Sequence, residues 1–395
     1  MTSRERVITA LNHKEPDRVP VSELYINSPV ASEIIGRTAL TGWSGRVRCA
    51  IMNQMLMEGR ADEFYHREIE DLIELYRKLE LDIILIERPP LANPIIPTAV
   101  DKTTWRFEDR ATGLWSVVHY DPQTDLYCTV DSNFHRGGVD EFARFVGILE
   151  KDDIAMDRWS WKQAETITEQ CSRDMFVMAV VEIDFPPMSM GAIGSVFLEA
   201  MAFEPGLCER YLDYRVRKGL KFIEKFAAMG VHCIFDGEDL AGNNGAMFST
   251  DHYMQFYAPR FLKLSKACHR HGMHYLRHTD GNIMKFADEF LLQSGFDAYH
   301  SIDPSAGMEI ALIKKKYGDR ITLMGNVDCG QVLHLGTRED VVRATRNVIL
   351  TASPGGGHIL SSSNTIHSDV STANFLTMLE SARRFGKYPI DPGVF

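Results

Sequence analysis

Short runs of apolar residues, each followed by a polar turn and then an amphipathic stretch, recur along the chain. Eight of these runs read as strands: Val19–Ile26, Leu81–Glu87, Phe176–Ile183, Val231–Asp236, His274–His278, Ala298–Ile302, Ile321–Gly325 and His358–Ser362. Apolar positions at helical spacing predict helices over Glu63–Leu79, Pro205–Met229, Asp251–His271, Asn282–Gln293, Met308–Tyr317, Arg338–Thr351 and Thr372–Phe385. A first helix opens at Ser3 and is closed by Pro16-Asp17. Strands alternating with helices imply parallel strands joined by crossovers. Eight of them predict an α/β fold of the (β/α)8 TIM-barrel type, with the whole chain, 1–395, as one domain. No GxGxxG follows the first strand, so a dinucleotide-binding sheet lacks its signature.

One region breaks the rhythm. Asp101–Asn133 alternates aromatic and β-branched residues around turn signals at Asp109–Gly113 and Asp121–Thr124. It reads as a β-meander insertion after strand two, on the catalytic face, serving as a substrate lid or as a structural flap.

Composition narrows the classes. Hydrophobic residues make up 45% and charged residues 25%, the balance of a soluble globular protein. A formal net charge of −11 argues against a nucleic-acid partner, which needs a basic footprint. No apolar run is long enough for a membrane span, and the N-terminus has no signal-peptide pattern. The seven cysteines are scattered without a CxxC pair, which suits buried thiols in a cytoplasmic setting.

In a barrel of this type the chemistry stands at the carboxyl ends of the strands. Those positions carry Tyr25 and Asn27; Glu87 and Arg88; Glu182 and Asp184; Asp236, Glu238 and Asp239; His278, Asp280 and Asn282; His300 and Asp303; Asn326 and Asp328; and Ser363, Asn364 and His367. So many acids around one mouth need a divalent cation, arginines or a cationic ligand to offset them. Taken singly, any of them reads as a solvated acid or a helix cap, Asp280 and Asp328 above all. His278 and Asp280 lie two apart on an extended segment and project the same way, as Asp236 and Glu238 do on the preceding strand. One imidazole and two carboxylates with an open position make a catalytic zinc arrangement: His278, Asp280 and Glu238. The competing account caps the next helix with Asp280 and bonds His278 to Glu238, with no metal. HExxH, a Walker loop and GxSxG are all missing.

The segments RERVITALNHKEPDRVPV, HTDGN, ITLMGNVD, LGTREDV and PGGGHILSSSN resemble the uroporphyrinogen decarboxylase-like superfamily, over Arg4 to about Pro389. That superfamily holds tetrapyrrole decarboxylases and cobalamin-dependent methyltransferases. The decarboxylases carry an Arg-Gln-Ala-Gly-Arg-Tyr stretch after strand one, whose arginines hold propionates; here INSPVASEIIGR stands in its place. Several substrate carboxylates need such cationic clamps. The thiol-activating methyltransferases carry His-x-Cys-Gly-Asn and a second Cys that bind zinc; here Asp280 replaces the first Cys and Ser363 or Asn364 the second.

The resemblance therefore implies the methyltransferase side. The expected reaction moves a methyl group from a small methoxylated, aromatic ether substrate to the cobalt of a separate corrinoid protein. Glu87, Glu182 or Asp184 would protonate the departing oxygen, and Tyr25, Asn326 and Asn364 would bind substrate. Zinc and a partner-borne corrinoid are the implied cofactors, and a homodimer is compatible with the pattern. A decarboxylase would instead need cationic anchors, to be sought at Arg88, Arg106, Arg110 and Arg277. A non-catalytic ligand-binding barrel is the third reading.

Overall fold

Continuous apolar runs become strands because both their faces are covered, as in parallel sheets. In the computed structural model, which describes residues 1–42, 46–123, 125–181 and 192–390, the first such run is β1 (Ile83–Ile86), buried at every position. The chain then forms β2 (Thr98–Ala99), β3 (Thr104–Asp109), β4 (Leu114–Asp121) and β5 (Leu126–Ser132), which pair in that order as an antiparallel sheet. β6 (Phe176–Val180) and β7 (Cys233–Gly237) follow, then a small hairpin of β8 (Ala241–Gly242) and β9 (Gly245–Ala246). β10 (His274–His278), β11 (Ala298–His300), β12 (Thr322–Met324) and β13 (His358–Ile359) complete the set. The main sheet has seven parallel strands in the order β1-β6-β7-β10-β11-β12-β13.

Strand periodicity sorts the side chains into two cores. Ile83, Leu85, Met178, Phe235, Leu276, Met324 and Ile359 meet on the inner face, where Val7, Ala10 and Leu11 of the first helix (Ser3–Leu11) pack against them. Their alternates, including Ile84, Ile86, Val177, Ile234, Tyr275 and Tyr299, join the larger core beneath the outer helices. The longest of these, Pro205–Met229, starts on a proline and ends at Gly230, whose φ of 86° is one that glycine adopts without strain.

Among the described residues the main sheet has seven strands where the sequence reading has eight. The first expected strand, Val19–Ile26, makes only single bridges: Val21 with Leu360 and Ile26 with Ile366. Pro20 has no amide hydrogen to give a ladder, and the Val21 amide donates to the Asp82 carboxylate (2.8 Å) instead of a backbone carbonyl. The segment still joins the two sheet edges. The Leu360 amide donates to Pro20 O (2.8 Å) and the Ser22 amide to Leu360 O (3.0 Å) on one side; the Asp82 amide donates to Val21 O (2.8 Å) on the other. The helix expected over Asp251–His271 is broken by a wide turn at Tyr253–Tyr257 before it resumes at Ala258–Arg270. No helix among the described residues is long and apolar enough to cross a membrane.

Candidate active site

The strand ends carry two neighbouring features: a polar triad beyond β7 and β10, and a cavity beyond β1 and β6. The triad is Asp239, His278 and Asp280, whose ligating atoms all lie within 4.8 Å of one another. His278 Nε2 is 3.7 Å from an oxygen of Asp239 and 3.7 Å from one of Asp280. The Asp280 amide donates to Asp239 Oδ1 (2.8 Å), Ser301 Oγ donates to Asp280 Oδ1 (2.9 Å), and the Asn364 amide donates to Asp280 Oδ2. Burial raises the Asp280 carboxyl to about 6, against the opposing pull of His278.

The protonation pattern of the two histidines follows from their partners. His300 Nε2 is 3.2 Å from the Ser362 carbonyl, which can only accept, so that nitrogen carries the hydrogen. Burial, with His278 adding to it, holds the His300 ring neutral. Its Nδ1 is then a lone pair, 2.7 Å from His278 Nδ1, which must donate. For a neutral His278 this leaves the Nε2 lone pair facing two carboxylates. Three acceptors converge with no donor among them, and the set is satisfied by a cation or by protonating one of its members. One imidazole nitrogen and two carboxylate oxygens with an open side toward solvent fit a zinc ion in their chemistry; Asp239 is the most exposed of the three, at 42%.

Glu238, read from the sequence as the third ligand, points elsewhere. Its carboxylate is 3.3 Å from Arg88, and burial raises it to about 7. The strand pleat that would align Asp236 with Glu238 stops at Gly237, where β7 ends, so the next residues no longer keep the strand's alternation. Asp236 is fully buried, accepts from the Tyr275 hydroxyl (2.5 Å) and lies 3.8 Å from Arg277. Asp280 does not cap the next helix, and Asp328 does cap a turn, accepting from the Gly330 and Gln331 amides.

The cavity encloses about 700 Å³ and is lined by Glu87, Arg88, Phe107, Tyr127, Trp159 and Lys218 among others. Glu87 is buried, which raises its carboxyl, and Arg48 at 3.6 Å counters that pull. Arg48 is itself bonded to Glu68, which Gln163 also holds (3.2 Å). Tyr25 shares a narrow crevice with Glu87. Of the four arginines sought as carboxylate anchors only Arg88 lines the cavity. Arg277 is spent on the carbonyls of Asp236 and Glu238, Arg106 lies over Trp115, and Arg110 is exposed. Asn326 donates to Ile302 O (2.7 Å), a backbone tie away from the triad, whereas Asn364 sits directly on Asp280. Glu182 and Asp184 lie outside the described residues.

His300, Asp239 and Lys218 are the residues that sequence reasoning left without a role. His300 and Asp239 had a signal in their strand-end positions; Lys218, inside a long helix, had none.

A parallel α/β sheet with a histidine–carboxylate cluster at the carboxyl ends of its strands defines an enzyme scaffold of the barrel class. The family model described as Uroporphyrinogen decarboxylase (URO-D) matches residues 190–385, a span that includes Asp239, His278, Asp280, His300 and Asn364, which supports the uroporphyrinogen decarboxylase-like superfamily. A methyltransferase from Methanosarcina mazei is similar in fold, with a TM-score of 0.62 and 16% identity, over 98% of this chain and 99% of that one. A uronate isomerase from Thermotoga maritima covers 98% of this chain and 94% of its own at 9% identity, but its TM-score of 0.40 is too low to carry an argument. No curated protein matches the sequence significantly.

Proposed function

We propose that the whole chain works as one barrel enzyme. It takes a methyl group from the oxygen of a small methoxylated aromatic compound and passes it to the cobalt of a corrinoid on a separate protein. His278, Asp239 and Asp280 would hold a zinc ion. The observation that carries this reading is the convergence of three acceptors, His278 Nε2 and two carboxylates, on one point, joined to the mostly apolar cavity through Glu238, which precedes Asp239 and pairs with the cavity's Arg88. The family-model match over residues 190–385 and the fold shared with a methyltransferase support it. The missing arginine stretch after strand one, with only Arg88 of the four sought anchors at the cavity, weighs against a substrate with many carboxylates.

A bound zinc would supply Lewis acidity toward the ether oxygen, whose departure as an anion is the hard part of the reaction. The chain's own residues do the rest. His300 fixes the ring orientation and tautomer of His278 through their 2.7 Å contact, and Ser301 and Asn364 hold the Asp280 carboxylate. Trp159, Phe222 and Phe107 offer ring faces to an aromatic substrate and exclude water. Glu87, which lines the cavity and has its carboxyl raised by burial, is the group placed to give a proton to the oxygen. The pair of electrons from the broken carbon–oxygen bond stays on that oxygen, while the reduced acceptor supplies the pair for the new bond. Phe107 and Tyr127 make the antiparallel sheet a wall of this cavity, which fits its reading as an inserted lid.

Purified protein resupplied with zinc should retain about one ion per chain. His278→Ala should no longer retain that ion. With reduced cobalamin and 2-methoxyphenol, the zinc-loaded protein should release catechol, and stripping the metal with a chelator should abolish the release. A wild-type protein that binds no zinc would remove the metal from this reading, and zinc-loaded protein that demethylates no aryl ether would end it.

A further inference from the structure

Three cations line the cavity beyond β1 and β6: Arg48, Arg88 and Lys218. Two are committed to carboxylates. Arg48 is bonded to Glu68 and lies near Glu87, and Arg88 pairs with Glu238 at 3.3 Å. Lys218 has no carboxylate and no hydrogen-bond partner among the described residues. Its Nζ instead stands 5.2 Å from the ring centroids of both Trp159 and Phe222, whose rings meet edge to face at 5.0 Å. An ammonium on ring faces in an apolar chamber gains something from the rings, yet far less than from a carboxylate.

We propose that the cavity binds an aromatic ligand bearing a single carboxylate, and that Lys218 receives that carboxylate. This rests on the methoxylated-aromatic reading above and names its substrate class, an aromatic ether acid. The chamber has the parts for such a ligand: ring faces from Trp159, Phe222, Phe107 and Tyr127 for an aromatic body, and one uncommitted cation for one anionic group. Burial, with Arg215 and Arg88 adding to it and Asp152 opposing them from beyond ion-pair distance, lowers the Lys218 amine to about 7, so an arriving carboxylate supplies a contact counter-charge that the described residues do not. A substrate with several carboxylates would find no second free cation among the described residues that line the cavity.

The test is direct binding, measured by calorimetry without cobalamin or added zinc, so it does not depend on methyl transfer. Wild-type protein should bind 4-methoxybenzoate roughly 10–100-fold more tightly than 4-methoxybenzamide, which has the same shape and no charge. Lys218→Met should bring the two ligands to equal, weak affinity, while Lys218→Arg should keep a preference for the acid. Equal affinities in the wild type, no binding of either ligand, or an acid preference that survives in Lys218→Met would each overturn the proposal. Acid binding at Lys218 in a protein that never demethylates an aryl ether would leave this site standing and end the catalytic reading.

Discussion

Glu23 lies within the Val19–Ile26 segment, 1% exposed, and among the described residues its carboxyl is hydrogen-bonded to Ser362. The Ser362 amide donates to Glu23 Oε1 (2.9 Å), and the Ser362 hydroxyl is 2.6 Å from Oε2 while also touching the Asn364 carbonyl. A carbonyl only accepts, so the hydroxyl hydrogen satisfies Asn364 if Glu23 carries a proton of its own. Burial agrees, raising the carboxyl to about 8 against the pull of the two Ser362 bonds. Between pH about 4.5 and about 8 the folded chain holds a proton that the unfolded chain has lost. Stability contributed by this group therefore falls as pH rises through that window and is level above it. Glu23→Gln keeps the shape and removes the titration. The stability difference between Glu23→Gln and wild type, from urea unfolding, should grow in favour of the variant by a few kcal/mol between pH 5.5 and pH 8.5. A constant difference would mean that Glu23 does not hold its proton. At this scale the sequence was legible where side chains stay on a strand or just beyond its end. His278 and Asp280, two apart, do converge. Asp239 stood among the strand-end acids, but its place in the cluster was not legible, because beyond Gly237 the β7 pleat no longer fixes which way a side chain points. Lys218 reads as an ordinary surface lysine until Trp159, distant in sequence, joins Phe222, one helical turn on, to close over it.

Among elements, Asp82 at the start of β1 ties the N-terminal segment to the sheet. Its carboxylate is fully buried and accepts from Arg6 (2.6 Å), Arg18 (2.7 Å), the Val21 amide (2.8 Å) and Ser3 Oγ (2.6 Å). Asp82→Ala leaves a buried arginine, a partly buried arginine and a backbone amide without their acceptor. The expected loss is about 3–5 kcal/mol in chemical denaturation; a loss under about 1 kcal/mol would show that water replaces the carboxylate. The strands themselves could be read from the chain because a parallel sheet covered on both faces gives short, mostly apolar runs, unbroken in β1 and β6. What could not be read was how the first segment pairs. Its apolar residues look like those of the others, but Pro20 and the Asp82 side chain replace ladder bonds with other contacts. The antiparallel segment announced itself by its different period and by Asp109 and Gly113 at a turn, where Asp109 accepts from the Ala111 amide (2.9 Å) and Gly113 adopts φ of 70°.

For the whole molecule, the junction of Pro20 and Ser22 with Leu360 sets the order in which a newly made chain can finish. Glu23 and Ser362, which meet at this seam, are 339 positions apart in sequence. A ribosome adding roughly 5–20 residues each second needs on the order of 20–70 s to span that gap. Throughout that time the Val19–Ile26 segment lacks the C-terminal half of its pairing and offers open backbone to chaperones or to other nascent chains. Ribosome-stalled chains that end before residue 358 should be cut by a brief protease pulse within residues 19–27, and released full-length chains should resist the same pulse. Protection of the stalled chains would mean that the segment finds shelter without its C-terminal partner. Synthesis of this protein thus ends by sealing its beginning.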